Sequence, residues 1–305
     1  MSPLERLRIR LLNAVLDPFS HGTNPLENTL TFDGDSGLFG PGSVTWLVMG
    51  DIAALFGGVR ALLIQFAHPE VAAGMVDHSS YERDHLGRIS RTTDYISATT
   101  FGAMPEVERA VEAVRRAHRV VTGTSHRDRS YTADDADLSS WVHNALSESF
   151  LTTYQHFGPR PLTASQADEY ALEQMALGNV IGATELHDTS AALSSWIGFH
   201  AAVSPSPGAQ QMVPFIASPP SGRTLRLGYK LLFWAVSATI PKRIRRALGV
   251  RKYPGALALG RILSRILRWA MGSSPTWHAA LIRCEASPPH DVVFRQPLPG
   301  HPPDK

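Results

Sequence analysis

From Ser43 to Ala67 the chain reads SVTWLVMGDIAALFGGVRALLIQFA, apolar or small at nearly every position. The run is too long for one strand and is interrupted at Gly57-Gly58, so it predicts two buried helices. His68-Pro69 then stops one helix and starts the next. Helical spacing of apolar positions recurs from Leu4 to Val15, from Glu70 to Val76 and around Tyr81 to Thr100. It returns from Pro105, a residue suited to a first helical turn, to Thr122, with Gly123 ending that helix. Further helices are expected from Leu138 to Tyr154, where Asp134 or Asp135 is the candidate cap, and from Ser165 to Val180. In the latter Ser165 is the cap and Asp168 and Glu169 sit in the first turn. Arg223 to Met271 is helical again, and clear alternation of period two is missing throughout. The expected fold class is therefore all-α.

Between these patterns the composition changes. Asp17 to Pro41 is rich in Gly, Asn, Asp and Pro and reads as an irregular lead-in, with the helix before it packing on the main body. Val203 to Ser221 carries Ser, Pro and Gly but also Met212, Val213, Phe215 and Ile216, which need cover, so it reads as a long connection or a lid. The expected organisation is an N-terminal helix and lead-in over residues 1–36 and a helical domain over 37–220. Basic helices packed on that domain follow over 221–285, with a Pro- and His-rich flexible tail over 286–305.

With 29 Lys and Arg against 27 Asp and Glu, the formal charge of +2 makes no case for nucleic-acid binding. Cys284 is the single cysteine, so an internal disulfide, a CxxC zinc site and an iron–sulfur cluster are all out of reach, and a reducing, cytoplasmic setting is expected. The N-terminus MSPLERLRIRLLNAVLDPFS mixes charges into its apolar residues and does not read as a secretion signal. No apolar run approaches the roughly 20 residues that cross a bilayer. Peripheral membrane contact is a separate matter. The basic run Lys242 to Arg246, with Phe233, Trp234 and Trp269 nearby, reads either as a membrane-surface element or as a helical cover with a solvated basic face.

Two segments carry candidate chemistry. On the helix predicted from Glu106 to Thr122, His118 falls in line with Val111, Val114 and Val121. A neutral imidazole on a buried helix face is a good ligand for a metal or a haem iron; the alternative is a core histidine satisfied by a backbone carbonyl. Upstream, Arg88 and Arg91 lie three apart and share a helical face. They would hold a haem propionate or an anionic substrate, or donate a hydrogen bond to dioxygen; otherwise they pair with Glu82, Asp84 or Asp94. His143 reads as structural, and His68, His78 and His85 as turn and cap residues. Glu82-x-x-His85 occurs once, whereas a carboxylate-bridged di-iron bundle uses that pattern twice. Phosphate-loop and GxSxG patterns are missing, so Gly57-Gly58 is assigned to close helix packing.

The ordered runs GLFGPGSVTWLVMGDIAALFGGVRALLIQFAHPEVAAGMVDHSSY, GRISRTTDYI, AVRRAHRVVTG, YTADDADLSSWVHNAL and SFLTTYQHFG resemble the oxygenase MpaB family, which includes the bacterial rubber oxygenases or latex-clearing proteins. The likeness spans about Gly37 to His200. It implies a globin-like bundle of helices around a central pocket for haem b, and dioxygen chemistry on an apolar small molecule, isoprenoid or lipid-like. By the same resemblance His118, within Val114-Arg115-Arg116-Ala117-His118-Arg119-Val120-Val121, is the proximal iron ligand, and Arg88 and Thr92 are the catalytic residues of the distal pocket. Arg91 and Thr93 are close enough in register to be further cofactor contacts. The rubber enzymes carry a lysine in this motif where Arg91 stands here, and a guanidinium that stays protonated is no iron ligand. Two other readings remain: a haem-binding sensor or carrier without turnover, and a metal-free helical protein that associates with membranes.

Overall fold

The computed structural model describes residues 2–16, 26–78, 85–219 and 223–299. The helices in chain order are α1 (Pro3–Leu16), α2 (Val44–Gly50), α3 (Ala53–Gln65), α4 (Pro69–His78), α5 (His85–Phe101), α6 (Met104–His118) and α7 (Ala136–Phe157). They continue with α8 (Ala164–Ile181), α9 (Ser190–Phe199), α10 (Pro207–Ala217), α11 (Arg223–Ser237), α12 (Lys242–Ala247), α13 (Ala256–Met271) and α14 (Pro275–Arg283). Among the described residues the only strands are β1 (Thr122–Thr124) and β2 (Ser130–Thr132), an antiparallel pair that aligns Thr122 with Thr132. The chain is all-α, as its apolar spacing predicts. It divides into two compact units, one from residues 1–52, 80–114 and 265–305, the other from residues 53–79 and 115–264.

In the first unit, Trp46 of α2 is wholly buried and its indole N–H donates to the Thr100 carbonyl at the end of α5, 2.8 Å away. Trp277 of α14 lies so close to Gly50 that any β-carbon there would overlap its ring. The N-terminal helix is tied to this unit by Arg8, which donates to the Ala270 carbonyl. A buried polar set holds the start of α6. Asp35 accepts from the Met104 N–H at 3.0 Å, and the Glu106 carboxylate accepts from the Ala103 N–H and the Thr29 hydroxyl, both at 2.9 Å. Negative charge in a first turn also interacts favourably with the positive end of the helix dipole. Asp51 takes two parallel 2.7 Å bonds from Arg268, so the chain turns out of helical conformation at Asp51 and not at Gly57-Gly58, where the sequence suggests the break.

In the second unit, Gly57-Gly58 lies inside α3, and its use is packing. A β-carbon on Gly57 would come within 2.3 Å of the Phe150 ring of α7, whereas one on Gly58 would meet nothing within 4 Å. One turn further on, Arg60 is completely buried on the same side of the helix. Its Nη1 donates to Glu148 and to Ser149 Oγ at 2.8 Å, its Nη2 to Glu148 Oε1 at 3.1 Å and to the Thr239 carbonyl at 3.4 Å, and its Nε to Thr239 Oγ1 at 3.0 Å. All five guanidinium N–H groups are thus satisfied, as a buried arginine requires. The α8 helix begins with a reciprocal capping box between Thr163 and Gln166, so Thr163, and not Ser165, is its cap. The segment after Val203 contains α10 and is not an extended loop; Met212, Val213 and Ile216 are buried as expected.

Two histidines of this unit are buried in the neutral form. Burial pushes His143 down to about 4, against a weaker pull from its hydrogen bond to the Gln174 backbone. Burial likewise takes His68 to about 4, although Glu70 Oε2 lies 3.3 Å from its Nδ1. The unfolded chain takes up these protons at the ordinary value of about 6.5 and the folded chain does not until about 4, so folded-state stability falls as pH drops through that window. Across a series from pH 7 to pH 4 the Tm should fall with acidification, as the unfolding free energy drops by up to about 1.4 kcal/mol per pH unit for each histidine, and His143→Asn should flatten the slope. A flat profile in the parent chain would contradict neutral burial.

The helix crossing makes a second prediction. Gly57→Val should destabilise by about 1–3 kcal/mol through overpacking against Phe150, while Gly58→Ala should be neutral or stabilising by up to about 1 kcal/mol. Denaturant unfolding of the two variants separates them; equal effects would mean that α3 does not need the close approach.

Candidate active site

The residues that bear the candidate chemistry lie on α5, in the first unit, and at the end of α6, in the second. On α5, the spacing of about 100° per residue puts Arg88, Arg91 and Thr92 on one face. Thr92 and Arg91 are exposed and Arg88 is half-buried. Thr93 is half-buried and points about 100° away from Thr92, so the helix separates it from the other three. The side of α5 that carries Gly87, Ser90 and Ala98 is buried, and it adjoins Arg91. Asp94 sits on that inner side and burial pushes its carboxyl up to about 6, against the lowering effect of the Arg91 charge. Of the carboxylates that could pair with the arginines, Glu82 and Asp84 lie outside the described residues, as does the start of the helix expected from Tyr81, and nothing is described of the His85 side chain.

His118 occupies the last turn of α6, half-buried, two turns beyond buried Val111. The helix stops there and does not continue to Thr122. The Val121 N–H closes a turn onto the His118 carbonyl at 2.9 Å, and the chain enters β1. What fixes this turn is the hairpin and its dock on α4. Tyr131 of β2 donates to Asp77 Oδ2 at 2.7 Å, and His78 Nε2 meets the Thr122 carbonyl at 2.7 Å. Gly123 and Gly74 leave room for the Tyr131 side chain, whose hydroxyl a β-carbon on Gly123 would strike at 2.5 Å. Burial raises the Tyr131 hydroxyl far above its usual range, so it stays a donor to Asp77. The loop of the hairpin is held as well: Ser125 Oγ donates to Glu70 Oε1 at 2.8 Å and Arg127 pairs with the same carboxylate. His118 is therefore carried by a helix end whose exit path is fixed.

A second concentration of rings lies in the same unit and was not singled out by the sequence. Trp141 is 4.8 Å from His200 and 5.6 Å from His68, and Trp196 is 4.4 Å from His200, all between ring centroids. The Trp196 N–H donates to Glu185 Oε2 at 2.6 Å. His68 and His200 are both lowered, chiefly by burial. Their only sequence signal is the His68-Pro69 junction.

The donor set matters for what could bind. A porphyrin brings four equatorial nitrogens and asks the protein for an axial imidazole, with cations for its propionates. A bare metal ion needs three or more side-chain donors, and among the described residues no such group of His, Cys, Asp or Glu converges. The half-buried His118 imidazole at the end of α6 is a donor of the first kind.

On the basic C-terminal region the structure corrects one expectation. Phe233, which the sequence groups with Trp234 and Trp269, is buried in the core, whereas Trp269 is exposed. The exposed apolar side chains of α13 are instead Ile262, Ile266 and Trp269, beside exposed Arg261 and Arg265. No single helix among the described residues is long and apolar enough to cross a membrane.

No curated protein and no solved structure matches the chain. The model of one family, described as ER-bound oxygenase mpaB/B'/rubber oxygenase, catalytic domain, matches residues 46–270, a span that contains both α5 and α6. Covering about three quarters of the chain, this match makes the protein a member of that family of oxygenase enzymes.

Proposed function

We propose that the protein is a haem-dependent oxygenase acting on an apolar small molecule with dioxygen. The observation that carries the reading is the family match over residues 46–270, within which His118 ends α6 in the Val114-to-Val121 motif. Haem b, when bound, supplies the redox chemistry of dioxygen activation. The protein's own part is to hold, orient and exclude. His118 would hold the haem iron through one imidazole nitrogen from its half-buried position, and the fixed turn after it limits how far the ring can swing. Arg88 and Thr92, on a common face of α5, are the proposed catalytic groups and would donate hydrogen bonds to dioxygen. Arg91, on the same face, is assigned to a propionate, since a protonated guanidinium gives a charge-assisted bond to a carboxylate but does not ligate iron. Thr93, facing elsewhere on the helix, is at most a contact to the cofactor edge.

Two further parts of the reading concern setting. A cytoplasmic location accords with the single cysteine. Peripheral contact with a membrane is assigned to α13, because Ile262, Ile266 and Trp269 lie beside Arg261 and Arg265 on its exposed face, the arrangement of an interfacial helix. An apolar substrate would partition into that same membrane.

His118→Gly should abolish the Soret band of the reconstituted protein, and added imidazole should restore it. A variant that retains the parent spectrum would remove His118 from the iron. Arg88→Ala and Thr92→Val should keep haem while lowering dioxygen-dependent product formation by about 10²-fold, measured by oxygen uptake with an isoprenoid or lipid-like substrate. Retained haem with no turnover in the parent chain over a broad apolar substrate panel would favour a sensor or carrier instead.

A further inference from the structure

The second unit carries a surface groove of about 780 Å³ that contains none of the residues assigned to oxygenase chemistry. Its walls come from the end of α9 (Gly198 and Phe199), from Val203 to Pro205, and from Pro241 to Ala247 around α12. Phe199 is 80% exposed, an unusual state for a phenylalanine on a folded surface. Arg243 is committed to structure: it donates to the His200 carbonyl at 2.8 Å and to those of Gly198 and Val203 at 3.5 and 3.4 Å, which ties the two walls together. Lys242 and Arg246 are different. They stand one turn apart on α12, both exposed. Neither side chain has a hydrogen bond or ion pair to any described residue, and no Asp or Glu lines the groove. Apolar surface at Phe199, Val203, Pro205 and Pro241 therefore adjoins two uncompensated cations. A ligand that complements both parts has an apolar chain and one anionic end. The volume lies within the range of about 300–1,000 Å³ usual for small-molecule sites.

We propose that this groove binds a single-chain anionic amphiphile of the fatty-acid class. The chain lies along Phe199 and Val203, and the carboxylate takes Arg246 bidentately with Lys242 as a second charge. The site does not rest on the haem reading, and its test has no turnover readout, so failure of one leaves the other standing. The probe is 11-(dansylamino)undecanoate, titrated into the full chain by fluorescence. Saturable binding is expected, displaced by palmitate but not by hexadecanol or inorganic phosphate at equal concentration, and weakened by salt. Lys242→Glu with Arg246→Glu, and separately Phe199→Ser, should each weaken binding at least tenfold without moving the thermal midpoint; if the double charge reversal fails to fold, Lys242→Gln with Arg246→Gln replaces it. Any of four results would overturn the proposal: absence of saturable binding, unchanged affinity in the charge variants, equal displacement by hexadecanol or by phosphate alone, or association only with phosphatidylglycerol vesicles.

Discussion

A guanidinium with no exposed surface must find five acceptors inside the protein, and Arg60 finds them on Glu148, Ser149 and Thr239. That requirement fixes α3 against α7 and draws in the turn after α11. The close approach that Gly57 permits against Phe150, one turn earlier, is the apolar half of the same contact. A buried ion pair of this kind adds little net stability over an apolar pair of equal shape, but removing one partner leaves a charge stranded, at a cost of about 3–5 kcal/mol. Its main consequence is positional: the two helices have one register that satisfies every donor.

From α3 a chain of contacts leads to the hairpin. The α3 helix passes through His68-Pro69 into α4, and α4 presents Glu70 at its start and Asp77 near its end. Glu70 holds the hairpin loop through Ser125 and Arg127, and Asp77 holds Tyr131 on β2. The hairpin in turn sets where α6 must stop, and His118 is the residue at that stop. The proposed iron ligand thus inherits its position from a polar network made of none of the proposed site residues.

Much of this was legible in the sequence, and the limits have physical reasons. Helix positions followed from apolar spacing, since burial of one face leaves a periodic trace. The break after α2 did not, because it is set by Asp51 meeting Arg268 more than two hundred residues away, while the more conspicuous glycines serve packing. The end of α6 was misplaced by one turn because a three-residue strand is too short to show alternation, and Tyr131 docking on Asp77 is a tertiary contact. Thr163 as cap was readable, since Thr163-x-x-Gln166 is a capping-box pattern; the more central Ser165 concealed it. At the candidate site, the shared face of Arg88, Arg91 and Thr92 follows from spacing alone. The raised Asp94 carboxyl does not, because burial of the inner side of α5 depends on what packs there. Phe233 and Trp269, grouped on one side in the sequence, part into core and surface for the same reason.

The central claim is that the turn ending α6 presents one imidazole to a haem. Its most direct test is a pyridine haemochrome assay combined with metal analysis of the full chain purified from haem-replete cells. Haem b and iron are expected together at one per chain. Iron without porphyrin, a different metal at equal stoichiometry, or no metal even after incubation with haemin would contradict it.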